Sequence, residues 1–505
     1  MSRKVRVSEW PGMSDSPNQD PDFYSHLRSE LSDGWRWVDR AVVLAYGAVA
    51  GLVVVAFTLL SYMAYGFYES LADTAPKWFL LLWTPAVTAG IVWVTRRYFP
   101  LAAGSGIPQV VAALDPGLDD AGRSRFVSLK LSAAKVALAS AGLLGGLSVG
   151  REGPSVQVAA GVMLHCQRWM RHRQALINPY MLLVAGGAAG IAAAFNAPLA
   201  GVVFAIEELS RKFEARYSGV IIAAIVLAGL MGVSAFGNSA YFGSIEVEPL
   251  GWRHIVPSLL VAMVCGLAGG LFSKLLIISL SGQSTDRLST LRRTRPVAFA
   301  ALVGLLIAII GLATGGMTTG SGTEAARHLL HAESPVAGAE VFGVMKFITT
   351  WLTAWTGVPG GLFAPSLSVG AGLGYDISLL TQGNVNVALV AMGMAGFLAA
   401  VTQAPLTAFI IVMEMIDGRP VVLSLMAVAM VSATISRMIS RPLYETLAAR
   451  MLASVTAVQA SEAANQARAA AQTAPAPAPA DPSPAAATPA PAPTSPQTPP
   501  SGPTP

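Results

Sequence analysis

The stretch GREGP at residues 150–154 follows a mostly apolar run, KVALASAGLLGGLSVG, that covers residues 135–150. An apolar run of this length is typical of a helix inside a lipid bilayer. The Arg-Glu pair between two glycines therefore lies where the chain should be deep in the membrane. The proline that follows is suited to the first turn of a helix. The pattern predicts a helix that begins within the membrane and carries a glutamate at its start.

The composition is that of a polytopic helical membrane protein. Of the 505 residues, 53% are hydrophobic and only 12% are charged, whereas soluble domains carry about 25% charged residues. A helix needs about 20 apolar residues to cross the hydrocarbon layer. Long apolar runs recur at 41–65, 78–95, 181–206, 219–236, 256–281, 298–314 and 421–439.

The ends of the chain differ from its centre. Residues 1–34 are polar and contain no apolar core of a signal peptide, which predicts a cytoplasmic N-terminal segment. Residues 460–505 are rich in Ala and Pro and predict a disordered tail. The membrane domain is therefore expected at 35–459. Cys166 and Cys265 lie in or beside apolar stretches and indicate no disulfide framework or metal site; no cofactor is implied.

The membrane part contains an internal repeat. Three pairs of positions are each separated by 207 residues and begin similar motifs or carry the same residue. They are 150 and 357, 197 and 404, and 207 and 414. The repeat halves are predicted at about 35–236 and 250–440. Chance in a chain rich in Gly and Ala is the weaker explanation, because the motifs keep their order. Repeats of this kind are typical of transporters and channels with a site near the bilayer midplane.

Three glycine loops precede apolar segments: GSGIP at 104–108, GREGP at 150–154 and GVPGGLFAP at 357–365. We interpret all three as helix N-termini, whose first N–H groups have no partner within the helix. Together with the positive end of the helix dipole, these groups can bind an anion without a full positive charge. Weak binding of this kind suits permeation. An alternative for GGAAG at 186–190 is simple helix packing, which we prefer there.

Two other functions fit the sequence less well. A nucleotide-binding loop would need a complete Gly-x-Gly-x-x-Gly or Walker-type pattern, and neither is present. A membrane-embedded serine hydrolase around Ser105 would need a catalytic base, and none of the six histidines lies in the middle of an apolar run. An enzyme is therefore not expected.

Four motifs occur in the chain in this order: GSGIP, GREGP, GGLFAP and, at 441–447, RPLYETL. In these motifs the sequence resembles the chloride channel/transporter (CLC) family, and most of all its bacterial chloride/proton antiporters. The resemblance covers about residues 35–450. It implies an all-α polytopic membrane protein of two inverted repeats built from tilted and partial transmembrane helices. It further implies a homodimer with one anion pathway in each subunit, located in the cell (inner) membrane, with chloride and protons as partners and no nucleic acid.

The resemblance also implies a central anion site. The hydroxyls of Ser105 and Tyr444 and the backbone N–H groups of Leu362 and Phe363 match its ligands. A serine at position 105 is the form associated with chloride; a proline there would indicate nitrate, and fluoride exporters depart from GSGIP. The complete predicted anion-binding set is Ser105, Gly106, Ile107, Gly153, Leu362, Phe363, Ala364 and Tyr444.

Two glutamates are predicted to couple proton and anion movement. Glu152 matches the external gate of the family: its carboxylate competes with chloride for the anion site, and protonation releases it. The alternative is a salt bridge with Arg151. Glu208, the second glutamate of AIEELS, matches the internal proton acceptor of exchangers, where channels usually have an apolar residue. Its alternative is a helix end near the basic pair 211–212.

Four further charged residues lie within apolar helices. Lys135 and Lys346 can raise the local concentration of anions or pair with carboxylates such as Glu207 or Glu414; the sequence leaves both alternatives open. Glu207 and Glu414 occupy equivalent repeat positions and are expected to be structural. Taken together, the motifs predict secondary transport of chloride in exchange for protons, and a passive chloride channel with the same pore is the alternative.

Overall fold

The computed structural model describes residues 34–170, 178–210, 218–237, 240–243, 251–282, 284–332, 336 and 338–473. These residues form helices, joined by loops and one isolated β-bridge. The polar segment before residue 34, the basic pair at 211–212 and the proline-rich tail from 474 onward lie outside the described part, so the predictions made for them stay predictions.

The helices of the first half are named α1 to α9 and include one π-helical turn. They are α1 (Gly34–Thr74), α2 (Lys77–Tyr98), α3 (Ile107–Ala113), α4 (Asp120–Phe126), α5 (Leu129–Leu144), α6 (Glu152–His165), α7 (Pro179–Ala194), α8 (Pro198–Phe204), the π-turn Ala205–Leu209, and α9 (Ser218–Phe236).

The helices of the second half are named α10 to α19. They are α10 (Ile255–Ser281), α11 (Arg287–Thr294), α12 (Pro296–Ala313), α13 (Thr323–Leu330), α14 (Phe342–Thr356), α15 (Phe363–Gln382), α16 (Val387–Thr402), α17 (Pro405–Ile416), α18 (Val422–Ile439) and α19 (Leu443–Thr473). Short 3₁₀ turns lie at Pro100–Ala102, Cys166–Trp169, Trp252–His254, Ala339–Val341 and Arg419–Val421.

Seven helical segments of the described part are long and apolar enough to cross a membrane, which makes the chain a multi-pass membrane protein. Other apolar helices, such as α3, α8 and α17, are too short to cross on their own. The predicted single span at 181–206 is wrong, because the chain breaks between α7 and α8. Asn196 has a positive φ of 56°, and Pro198 starts the next helix, so the helix cannot continue through this point.

Two helix pairs form the most buried layer, α6 with α7 and α15 with α16. Glycines allow the close approach in the first pair. A Cβ added to Gly186 would lie 2.6 Å from the Cα of Ala160, and one added to Gly190 would lie 2.5 Å from the carbonyl oxygen of Ser155. The preference for helix packing at 186–190 is therefore confirmed.

The two halves cap each other's short helices reciprocally. The carboxylate of Glu414 accepts the backbone N–H groups of Leu199 and Ala200, the latter at 2.6 Å, at the start of α8. The carboxylate of Glu207 accepts the equivalent N–H groups at positions 406 and 407, at the start of α17. Such an exchange of contacts is what an approximate two-fold rotation between the halves produces. The expectation that both glutamates are structural is confirmed.

The two intramembrane lysines are also used equivalently. The ammonium group of Lys135 donates to the carbonyl oxygens of Ala102 and Gly104 at 2.8 and 2.6 Å. Lys346 donates to Thr318 and Gly320 at 2.9 and 2.8 Å. The alternative in which these lysines pair with Glu207 or Glu414 is wrong, because those carboxylates cap helices instead. Each buried lysine therefore holds a loop that precedes a short helix of its own half.

The last helix extends beyond the boundary that composition suggested. One compact unit ends at Leu452, and within the second unit α19 continues to Thr473. The boundary predicted at 460 was therefore too early for the end of regular structure. Residues 460–473 are rich in Ala, the strongest helix former, and lack proline; the first proline of the tail is at 475.

Candidate functional site

The three glycine loops meet at one place in the fold. The backbone N–H of Gly150 donates to the carbonyl oxygen of Gly361 at 2.9 Å, and the N–H of Gly361 donates back to Gly150 at 2.7 Å. The N–H of Gly360 donates to the carbonyl oxygen of Gly104 at 3.1 Å. Loops from both halves are thus hydrogen-bonded directly to one another. This backbone contact fixes the relative positions of the three helices that follow the loops.

The junction has no room for side chains at two of its glycines. Gly106 has a φ of +112°, which L-residues rarely adopt, and a Cβ there would collide with the carbonyl oxygen of Gly153. A Cβ on Gly153 would in turn collide with the hydroxyl oxygen of Ser105. The glycines therefore bring the backbone of one loop against the side chain of the next.

Helices α3, α6 and α15 begin at this junction, as the loops predicted. Their N-cap residues, Gly106, Arg151 and Leu362, provide no side-chain cap. In one case a nearby amide replaces the cap: the N–H of Gly106 donates to the side-chain oxygen of Gln109 at 3.0 Å. The N–H of Gly106, which belongs to the predicted anion-binding set, therefore already has a hydrogen-bond partner within the protein. Ile107, Gly153, Leu362, Phe363 and Ala364 are placed in the first turns, where N–H groups have no helical partner.

Two hydroxyls face each other next to these first turns. Ser105 and Tyr444 are 5% and 1% exposed, and the Tyr444 hydroxyl lies beside that of Ser105. Neither hydroxyl has a hydrogen-bond partner of ordinary geometry. The ring of Tyr444 stacks on that of Phe363, with centroids 6.2 Å apart and planes 9° apart. Buried hydroxyls normally have partners, so this pair provides two donors for a ligand.

Glu152 is the first residue of α6 and is 1% exposed. Its carboxylate lies against the backbone N–H groups of Arg151 and Ala364, which belong to the first turns of α6 and α15. One of its oxygens, Oε2, has no hydrogen-bond partner. A carboxyl group thus occupies the place where two helix N-termini converge.

The neighbouring arginine points away from this glutamate. Arg151 donates to the hydroxyls of Tyr62 and Tyr241 at 3.0 and 2.9 Å, and its guanidinium lies 4.4 Å from the centroid of the Tyr62 ring. The alternative of a salt bridge between Arg151 and Glu152 is therefore not what the structure shows. Arg151, Tyr62 and Glu69 border a cavity of about 720 Å³.

Glu208 lies in the π-turn that follows α8, a rare conformation that is frequent at functional sites. It borders a second cavity of about 850 Å³, which is also lined by Asp115, Arg123, Tyr180 and Glu445. Glu208 lies close enough to Tyr444 to interact electrostatically with it, and so does Glu152. Tyr444 is therefore close enough to interact with both predicted coupling glutamates.

Sequence reasoning missed several residues of this region. Gln109 fixes the first loop through Gly106 and through the carbonyl oxygen of Ala103 at 2.6 Å. Tyr62 and Tyr241 hold Arg151, and Glu445 lines the cavity of Glu208. The tyrosines lie in no motif and about 90 residues from Arg151, so only Gln109, three residues after a glycine loop, carried a usable signal.

Comparison with known proteins identifies the family. Residues 86–437 match the family model described as voltage gated chloride channel. The H(+)/Cl(-) exchange transporter ClcA of Citrobacter koseri is 30% identical over 83% of this chain and 89% of that protein. ClcA of Klebsiella pneumoniae is 29% identical with the same coverage.

A solved structure has the same fold. A slow cyanobacterial Cl-/H+ antiporter aligns with a TM-score of 0.71 at 23% identity, over 82% of this chain and 98% of that one. At this identity, the likeness establishes the fold alone. The expected all-α arrangement of long and partial helices in two related halves is thus confirmed. The chain belongs to the voltage gated chloride channel (CLC) family.

Proposed function

We propose that the protein exchanges chloride for protons across a membrane as a secondary transporter. The observation that carries the proposal is the position of the Glu152 carboxylate on the backbone N–H groups of two converging helices. A site that holds a carboxylate in this way also suits chloride, because both are anions that accept hydrogen bonds. The names of the curated relatives, which are exchange transporters, support the same reaction.

The central chloride site is formed by the hydroxyls of Ser105 and Tyr444 and by the N–H groups of Leu362 and Phe363. The two buried hydroxyls without partners support this assignment. The N–H groups of Ile107, Gly153 and Ala364 add to the positive potential of the converging helix starts. No cofactor takes part: the transported ions are the only ligands that this site requires.

Glu152 links the two ions. When ionised, its carboxylate occupies the anion site and keeps chloride out, since both compete for the same N–H donors. When protonated, the side chain loses its charge and its attraction to the helix N-termini, and it swings away. The cavity bordered by Arg151 and Tyr62 offers space next to this site, and we assign it to the external side. Each cycle of the side chain therefore moves a proton in relation to chloride.

Glu208 exchanges protons with the cytoplasm. It borders a cavity large enough for water and lies near Tyr444, so a proton taken up at Glu208 has a short distance to travel to the anion site. A passive channel would need no acid at this position. Glu208 and the relatives' names together favour the exchanger over the channel.

We further propose a homodimer in the inner membrane. The short helices α8 and α17 contact each other, and α17 contacts α18. They carry exposed apolar side chains, including Leu199, Leu406 and Leu423, which form a surface that a second copy can cover. Subunit counting by photobleaching of single labelled proteins in liposomes tests this arrangement. A monomer with full activity would overturn the dimer as a requirement.

The exchange reaction is tested with purified protein in chloride-loaded liposomes. Extraliposomal chloride and pH are recorded together while a potassium ionophore clamps the voltage. A chloride gradient that drives protons uphill is the expected result. Chloride flow at constant pH would overturn the proposal in favour of a channel.

A further inference from the structure

We infer that Glu445 is a second proton-transferring residue, which passes protons between the water-accessible cavity and Glu208. This inference rests on the proposed exchange function and adds a residue to its proton pathway. In each step, the carboxyl O–H of Glu445 gives its proton to a carboxylate oxygen of Glu208, directly or through water. A proton from the solution, carried as hydronium through the water of the cavity, then reprotonates Glu445, and for protons moving the other way the steps reverse.

The two carboxylates share one cavity and interact with each other. Glu208 and Glu445 both line the cavity of about 850 Å³, and they lie close enough for their negative charges to repel. They come from different elements, the π-turn after α8 and the first turn of α19. Two acids that share a wet cavity in this way can exchange a proton by way of water.

At the start of α19, two adjacent side chains point in different directions, one toward the proposed anion site and one toward the proposed proton pathway. Tyr444 is 1% exposed and stacks on Phe363, while the next residue, Glu445, is exposed and faces the cavity. Neighbouring residues on a helix point about 100° apart, as 3.6 residues per turn require. One residue therefore reaches the anion site and its neighbour reaches the proton pathway.

The other charged groups around the cavity have local contacts of their own. Asp115 accepts the backbone N–H of Gly117 at 2.8 Å, Glu207 caps α17, and Arg123 lies 3.6 Å from Asp120. Asp115 provides a matched control, because it contributes a carboxylate to the same cavity. Asp115→Asn removes that charge and keeps an oxygen that can accept the same N–H.

A structural role for Glu445 has a different signature. An acidic residue in the first turn stabilises a helix through its dipole. Loss of that effect would lower the stability of the protein, whatever ion is being transported. Loss of proton transfer would instead slow only a cycle that moves protons.

The test compares Glu445→Gln, Glu445→Asp and Asp115→Asn in the liposome assay. We expect Glu445→Gln to slow coupled proton and chloride flux together by about tenfold, less than the ~100-fold typical of positioned proton-transfer groups, because water can partly substitute. Glu445→Asp should restore most of the rate, and Asp115→Asn should match the wild type. In the Glu152→Gln background, where chloride moves without protons, the slowing due to Glu445→Gln should be lost.

The possible outcomes separate this inference from the proposed function. A wild-type protein that moves no protons would overturn both. A coupled wild-type protein whose flux is the same after Glu445→Gln would overturn the inference alone. Equal slowing of chloride in the Glu152→Gln background would also overturn it, because Glu445 would then act on the anion or on the fold.

Discussion

Glu152 and Glu208 are the two glutamates of the proposed coupling mechanism, but Glu152 is buried whereas Glu208 is partly exposed, and their surroundings differ. Glu152 lies against backbone N–H groups where helices from both halves converge, so its carboxylate takes the N–H donors that the proposed anion site offers. Glu208 lies on a large cavity and has acidic neighbours, Glu207 and Glu445. Under the proposed mechanism, the N–H donors around Glu152 let its carboxylate compete with chloride. The cavity and the acidic neighbours of Glu208 suit a group that only exchanges protons.

The largest effect should come from removing the charge of Glu152. Glu152→Gln keeps the shape of the side chain but cannot bind or release a proton, so chloride flux should persist while coupled proton flux falls to background. Simultaneous chloride and pH recordings from liposomes measure both. Continued uphill proton movement in this variant would assign the coupling to another residue.

A comparable loss of proton flux, without loss of chloride flux, is expected for Glu208→Gln. The reason is that the proposed anion site contains no atom of Glu208, whereas the proposed proton pathway passes through this residue. Glu207→Gln is the matched control, because it changes the adjacent residue and retains an oxygen that can cap α17. Equal loss of coupling in both variants would show that the total negative charge of the π-turn is required, and not Glu208 in particular.

Ser105→Ala and Tyr444→Phe test whether these two hydroxyls bind chloride. Each removes one hydroxyl donor, worth about 0.5–1.5 kcal/mol, and should weaken chloride binding roughly two- to tenfold. Isothermal titration calorimetry with the detergent-solubilised protein measures the affinity. Ser124→Ala, an exposed serine on α4, should leave the affinity as it was. Unaltered affinity in both hydroxyl variants would exclude these groups as ligands.

The smallest effect on transport, and a larger one on stability, is expected for the lysines. Lys135→Met and Lys346→Met leave buried loop carbonyl oxygens without their N–H donor, which should cost about 1–3 kcal/mol for each variant. Apparent melting temperatures in detergent measure this loss. Lys77→Met, at an exposed position, serves as the control. Normal stability with reduced chloride flux would instead favour the electrostatic alternative for these lysines.

Much of this architecture could be predicted from the sequence because it is encoded in glycine and proline. The loops at 104–108, 150–154 and 357–365 restrict the backbone locally, so their role as helix starts follows from neighbouring residues. The offset of 207 linked Glu207 with Glu414 before any contact was known. The reciprocal capping explains the offset, since each glutamate serves the equivalent helix of the other half.

The features that could not be predicted depend on contacts between distant residues. The lysines were expected either to attract ions or to meet carboxylates, but they meet backbone carbonyls, which the sequence does not mark. The clamp of Tyr62 and Tyr241 on Arg151 joins three segments that share no motif. The break at Asn196 was hidden because the residues on both sides are equally apolar, so hydropathy alone merged α7 and α8 into one span.

The reciprocal caps have a consequence for synthesis at the ribosome. The helix α8 is made early, but the carboxylate that completes its start belongs to Glu414, which is translated more than 200 residues later. Until Glu414 has been made, the first N–H groups of α8 therefore lack this cap. A chain truncated between residues 407 and 414 would lack the cap of α8 but would keep Glu207, which caps the start of α17.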